Sequence, residues 1–263
     1  MKAMNEVVRY NNDLNTVVFK GFTDTELKLF FAICSKMKDK GSNEVTFSFD
    51  QLKDLTDEKK HFTAKEYAEL IQGMYHKLIH LSYVYDDGKD IAGEFNLFQG
   101  YERSISQEIF TISVSEKYIY LFNQLTSNFT RFELQEFVDL RGKYTKLLYR
   151  QLKQWRTAGH YSVLVKDLRE LLDVPDTYET KAITNRVLNP AVNKLRKLYS
   201  FRNLTYEYSY SGKTAVRVKF DWDPEVIPQR KEASAADWIA VDEDDDVFEL
   251  RENISDLQKK AAR

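Results

Sequence analysis

The chain alternates between two kinds of hydrophobic spacing, and it does so twice in the same order. In the first half, "FTDTELKLFFAICSKMK" places Leu27, Phe31 and Cys34 on one helical face, with Thr23 as N-cap and Glu26 as its capping-box partner. "EVTFSF" then alternates as a strand does. It is followed by a short helical stretch "DQLKDLT", a longer one "TAKEYAELIQGMYHKLIHL", and the strand-like pieces "SYVY" and "IFTISV". In the second half the helix "GKYTKLLYRQLKQWRTAG" leads to the strand "YSVLV" and the short helix "KDLRELLDV". A further helix contains "TNRVLNPAVNKLRK", and the hairpin "LTYEYSYSGKTAVRVKF" closes the series. An offset of 116 carries Phe47, Phe49, Leu52 and Leu55 onto Val163, Val165, Leu168 and Leu171. An offset of 117 carries Leu70, Ile71, Met74 and Tyr75 onto Val187, Leu188, Ala191 and Val192. Helix, small strand, helix, helix and β-hairpin is the element order of a winged helix. The pattern therefore predicts a helix-rich α+β fold with two tandem winged-helix domains related by internal duplication, at 1–125 and 126–222.

Residues 223–263 depart from this pattern. They hold two of the four prolines and an acidic run from Asp242 to Asp246, which reads as a flexible acidic tail, either solvating or partner-binding. Scarce glycine (9) and proline (4) agree with a helix-rich fold.

Charge divides the chain more sharply than its net value of −2 suggests. Residues 1–142 hold 17 Lys and Arg against 22 Asp and Glu, residues 143–220 hold 16 against 6, and residues 221–263 hold 6 against 13. The middle block is the part suited to a polyanion. Two helices within it stand out. In 143–155, Tyr144, Leu147, Leu148, Gln151, Leu152 and Trp155 share one face, and Lys143, Lys146, Arg150 and Lys153 lie opposite. Like charges at spacings of three and four repel unless an anion sits against them, so this stripe is expected on the solvent side, contacting phosphates.

In the second helix, Ile183, Val187, Ala191, Leu195 and Leu198 face a core, while Asn185, Arg186, Asn189, Asn193, Arg196 and Lys197 form a polar side with no carboxylate. Arg suits guanine, Asn suits adenine and Lys suits the phosphate backbone. Asn185, Arg186, Asn189, Asn193 and Lys197 are accordingly the candidate base-reading residues. Lys143, Lys146, Arg150, Lys153, Lys181, Arg196, Lys213 and Arg217 are the candidate phosphate contacts, with Lys219 beside them on the hairpin. The matching helix of the first half mixes in Glu66 and Glu69, which places DNA reading mainly in the second module. Pro190 is either the first residue of a new helix capped by Asn189 or a kink in a continuous one. The apolar phase runs unbroken from Ile183 to Leu198, which favours continuity.

Catalytic chemistry finds no support. "SYSGKT" ends like a phosphate-binding loop but has Glu207 where the first glycine belongs, and its flanks alternate as a hairpin. His76 and His80 are four apart, yet lack the glutamate and third ligand of a metalloprotease helix, and no His-x-His pair supplies a nickase metal. The single cysteine, Cys34, excludes an internal disulfide and reads as a buried thiol. No apolar run reaches the ~18 residues of a membrane span and no signal-peptide core opens the chain. The expectation is a cytoplasmic binding protein, with no enzyme activity, metal or cofactor and no membrane partner.

The order of "LRGKYTKLLYRQLKQW", "VLVKDLRELLDVPDTYET" and "ITNRVLNPAVNKL" resembles the initiator replication proteins of iteron-bearing, theta-replicating bacterial plasmids. The likeness extends more weakly over "LNTVVFKGFTDTELKLFFAICSKM" and "VTFSFDQLKDLT", covering about residues 7–222. It implies a protein that binds double-stranded origin repeats, opens adjacent DNA and recruits the host replicative helicase or its loader. It also implies a monomer–dimer equilibrium, with the first module serving dimerisation and auxiliary DNA contact, and repression of the initiator's own promoter. A winged-helix transcriptional repressor would use the same surfaces, and a protein scaffold would set the basic face against an acidic protein.

Overall fold

The computed structural model describes residues 6–37, 44–58, 61–86, 90, 92–122 and 128–226. Helix α1, Asp24–Met37, starts at the expected capping box: the Thr23 N–H donates to Glu26 Oε2 at 2.7 Å and the Glu26 N–H to Thr23 Oγ1 at 3.3 Å. Its whole central turn is inside the protein, with Phe30, Ala32, Ile33 and Cys34 as buried as Leu27 and Phe31. A helix apolar on every side belongs at the centre of a core. Strand β1 (Val7–Asn11) precedes it, and β2 (Glu44–Ser48), α2 (Phe49–Leu55) and α3 (Ala64–Leu78) follow. Thr63 and Glu66 close a second capping box at the start of α3.

Two hairpins come next, β3 (Ser82–Asp86) with β4 (Ala92–Asn96), and β5 (Phe98–Ser104) with β6 (Ile109–Val114). The wing of the first module is β5–β6, completed by β2 in the order β2-β6-β5. "IFTISV" is thus a wing strand, but "SYVY" belongs to the separate β3–β4 pair. The partner "FQGYERS" escapes the alternation rule because its register shifts between Phe98 and Gly100.

Strand β7 (Phe129–Glu133) returns to pair antiparallel with β1, and the short helix α4 (Leu134–Asp139) leads into α5 (Lys143–Gln154). The second module then repeats the first, with β8 (His160–Leu164), α6 (Val165–Leu171), a long helix over 180–195, β9 (Thr205–Ser211) and β10 (Thr214–Asp221). Its sheet order, β8-β10-β9, matches β2-β6-β5, and β8 and α6 lie at the offset of 116 from β2 and α2. The duplication seen in the sequence is therefore a duplication of topology.

One hydrophobic core serves both modules. Phe31 meets Phe137 at 4.7 Å, Phe137 meets Tyr149 at 5.8 Å, and Tyr149 meets Phe201 at 5.7 Å, so ring contacts run from α1 across α5 into the second module. Cys34 is a free, buried thiol, and burial pushes its pKa well above the ordinary value. No described helix is long and apolar enough to cross a membrane.

Of the expected tail, Asp223 to Glu225 are held on the body. The Asp223 N–H donates to the Arg202 carbonyl at 3.0 Å, and the Glu225 carboxylate meets Lys153 at 2.9 Å and Arg156 at 3.3 Å. Its acidic run, Asp242 to Asp246, lies outside the described residues.

Candidate nucleic-acid interface

The two basic helices have opposite fates. The cationic stripe of α5 is not on the solvent side, which corrects the expectation for Lys146, Arg150 and Lys153. Lys146 and Arg150 are 0% exposed and Lys153 is 6% exposed. From Thr145 to Lys153 every residue of α5 is buried, because the helix runs between the two modules and has no solvent face. Arg150 points its guanidinium at backbone carbonyls just after β1, donating to Leu14 at 3.2 Å, Asn15 at 3.3 Å and Val17 at 2.5 Å, over the face of Phe19 at 4.5 Å. Lys146 reaches Asp24 at 3.1 Å and the Leu140 carbonyl. Lys153 donates to Ser200 Oγ at 2.7 Å and lies 3.4 Å from Glu136.

Burial pushes Lys146 down to about 8, against the opposing pull of Asp24, and pushes Arg150 down to about 10. Burial disfavours the Glu225 carboxylate as well, but the charges and hydrogen bonds of Lys153, Ser200 and Arg156 outweigh it and lower its pKa. Lys143 is half-buried and paired with Asp173 at 2.9 Å. The anions that relieve the repulsion along this stripe are the protein's own carboxylates and carbonyl dipoles.

The helix over 180–195 behaves as its sequence suggests. It comprises α7 (Thr180–Ile183), a π turn over Thr184–Leu188 and α8 (Asn189–Leu195), with Leu188 and Asn189 both in the right-handed helical region. Pro190 cannot donate to the Arg186 carbonyl. The π turn absorbs that loss: the Asn189 N–H donates to the Thr184 carbonyl, five residues back, and the helix continues. Ile183, Val187, Leu188, Ala191, Val192 and Leu195 are buried. Asn185, Arg186, Asn189, Asn193 and Lys197 are all exposed, as are Lys181 and Arg196, and no acid lies between Thr180 and Leu198. By contrast α3 exposes Lys65, Glu66 and Glu69 together.

Several of these groups are already oriented. Arg186 is exposed and lies over the Tyr178 ring at 5.3 Å, a contact that restrains the guanidinium. Arg196 donates to the Leu204 carbonyl at 2.9 Å and ties the helix end to the entry of β9. Lys213 sits at the wing tip beside Gly212, whose φ of 61° makes the tight β9–β10 turn. Arg217 is exposed and reaches Ser162 Oγ at 3.3 Å, while Lys219 pairs with Asp221 at 3.0 Å.

The sequence reading passed over three tyrosines. Tyr206 donates to Asn189 Oδ1 at 2.7 Å, Tyr208 meets Thr184 Oγ1 at 3.1 Å, and Tyr210 is 60% exposed. Their spacing of two along β9 is the signal that could have shown them, since it places all three on one face of the strand.

Among the described residues, no three His, Cys, Asp or Glu side chains form a group able to hold a metal ion. His76 is exposed, with Nε2 3.4 Å from Gln72 Nε2, and His80 is exposed too.

A helix-turn-helix beside a β-hairpin is the winged-helix unit of DNA-binding proteins; it occurs twice here, and the second copy carries the acid-free helix face. Residues 7–153 match the family model for the first winged helix of initiator replication proteins, and residues 164–222 match the model for the second. A probable replication protein of Bifidobacterium longum (strain NCC 2705) is 32% identical over 259 residues, covering 94% of this chain and 86% of the relative. The crystal structure of the Pi initiator protein in complex with iteron DNA shares the fold, with a TM-score of 0.63 and 13% identity over 82% of this chain and 96% of that one. The chain belongs to the initiator replication protein family.

Proposed function

We propose that this initiator binds repeated duplex sites in its origin through the second module, opens the adjacent DNA and recruits the host replicative helicase or its loader. The observation that carries the reading is the exposed helix face from Asn185 to Lys197, which has no carboxylate and stands next to a basic wing. Asn185, Arg186, Asn189, Asn193 and Lys197 read base edges in the major groove, and Lys181, Lys213 and Arg217 meet phosphates. Arg196 holds the helix end and adds its charge there. Lys146, Arg150 and Lys153 have no place in this interface.

The Pi initiator was crystallised with iteron DNA, and that shared fold supports repeats of this kind as the target. The first module, with Glu66 and Glu69 on its exposed helix, serves dimerisation and auxiliary contact, and the dimer represses the initiator's own promoter. No catalytic step is assigned to the protein. Nuclease footprinting on the DNA flanking its own gene tests the proposal. Protection of direct repeats of about 20 base pairs, each spanning two major-groove segments, is expected. No protection at moderate salt would refute it.

A further inference from the structure

The wing does more here than stand beside the reading helix. On β9, Tyr206 and Tyr208 turn toward that helix, with ring centroids 5.9 Å apart and Tyr206 6.0 Å from Phe220. The Thr184 hydroxyl donates to the Thr180 carbonyl at 2.9 Å, which leaves Tyr208 as the donor in its 3.1 Å contact with Thr184. Tyr206 donates to Oδ1 of Asn189 at 2.7 Å, while Asn189 Nδ2 has no protein partner among the described residues.

An exposed asparagine amide can turn end for end at little cost, and so can offer acceptor and donor in either order. Base pairs differ in the order of donors and acceptors along their major-groove edge. A side chain free to flip therefore tolerates more than one base pair, and one held in a single orientation does not. In Asn189 the acceptor is turned toward the wing and the donor away from it, the order that suits a phenol hydroxyl, which donates more strongly than it accepts. The Oδ1 lone pair that Tyr206 does not use, and both Nδ2 protons, remain for a base.

We propose that Tyr206 is a specificity-determining positioning residue, fixing the orientation of the Asn189 carboxamide and through it the base pair accepted at one position of the DNA repeat. This rests on the reading of the Asn185–Lys197 face as the base-reading surface. It also links the two parts of the module: a wing seated on phosphates by Lys213 and Arg217 holds Tyr206, and Tyr206 holds Asn189.

The test is a base-preference profile, in which binding is measured to the footprinted repeat with every base pair substituted in turn. Wild type, Tyr206→Phe, Asn189→Ala and Tyr208→Phe are compared, with a random duplex alongside. Tyr206→Phe and Asn189→Ala should flatten the preference at the same base pair. For Tyr206→Phe the loss should be roughly three- to tenfold, the share of one hydrogen bond, with random-duplex affinity unchanged. Tyr208→Phe should keep the wild-type preference there. In the free protein, the Asn189 side-chain amide resonances should move in Tyr206→Phe and stay in Tyr208→Phe. An unaltered profile, a uniform loss on all duplexes, an unmoved amide signal, or no flattened position in Asn189→Ala would each overturn the inference. An unselective wild type would instead overturn the base-reading proposal beneath it, and would be seen before any variant was measured.

Discussion

Arg150 separates a structural cation from a DNA-binding one most directly. Replacing it by Met keeps the aliphatic stem and removes the guanidinium; the Leu14 and Asn15 carbonyls keep the Val17 N–H and the Gln151 amide as donors, while the Val17 carbonyl loses its donor. An orphaned buried acceptor costs about 1–3 kcal/mol. The two lost hydrogen bonds to carbonyls that stay satisfied cost about 1 kcal/mol each, which brings the sum to roughly 3–5 kcal/mol. Loss of the Phe19 contact adds about 1 kcal/mol. Against this, Arg150 Nε is buried with no hydrogen-bond partner, so its removal recovers about 1–2 kcal/mol of desolvation. The net expectation for Arg150→Met is a destabilisation of about 2–5 kcal/mol, which overlaps the range for breaking a buried charged interaction. Urea unfolding followed by far-ultraviolet circular dichroism should show the midpoint fall by about 1 M for a domain of this size. The salt dependence of DNA binding should stay as in wild type. A midpoint unchanged within about 0.3 M, together with a salt slope about one unit shallower, would show that Arg150 contacts phosphate and that its buried position is wrong.

Other expectations follow from single residues. Lys146 has a folded pKa of about 8 against an ordinary 10.5, so between those values the unfolded chain binds more protons and this lysine's contribution to stability rises with pH. Wild type should therefore gain on Lys146→Met between pH 7 and pH 9.5 in paired urea titrations, and parallel curves would contradict the burial. Gly159 has a φ of +71°, and an added Cβ would lie 2.8 Å from the Trp222 carbonyl. Gly159→Ala should cost about 2 kcal/mol or more, seen as a thermal midpoint about 4–8 °C lower, and an unchanged midpoint would refute the crowding. Arg186→Ala should lose about 1–3 kcal/mol of discrimination at one base pair, whereas Lys213→Ala should weaken all duplexes alike and make the salt slope shallower by about one. Equal losses on specific and random duplexes for Arg186→Ala would remove it from the base readers.

Local signals in the chain determined much of this protein. The capping boxes at Thr23 and Thr63, the offset of 116 between Phe47 and Val163, and the unbroken apolar phase across Pro190 each depend on residues within a few turns of one another. Element order and duplication followed from them, and so did the acid-free face from Asn185 to Lys197, because an outer face of a helix keeps its polarity wherever the helix docks. What the helices dock against was decided by the tertiary structure alone. The cationic stripe of α5 and the polar face of the helix over 180–195 look alike in sequence, yet α5 lies between two modules whose carbonyls and carboxylates come from residues 14–24, 136–140 and 225. Periodicity reports two faces of a helix and cannot report that both are covered. Nor could it show Tyr206 reaching Asn189, since that contact depends on how closely the wing folds back on the helix.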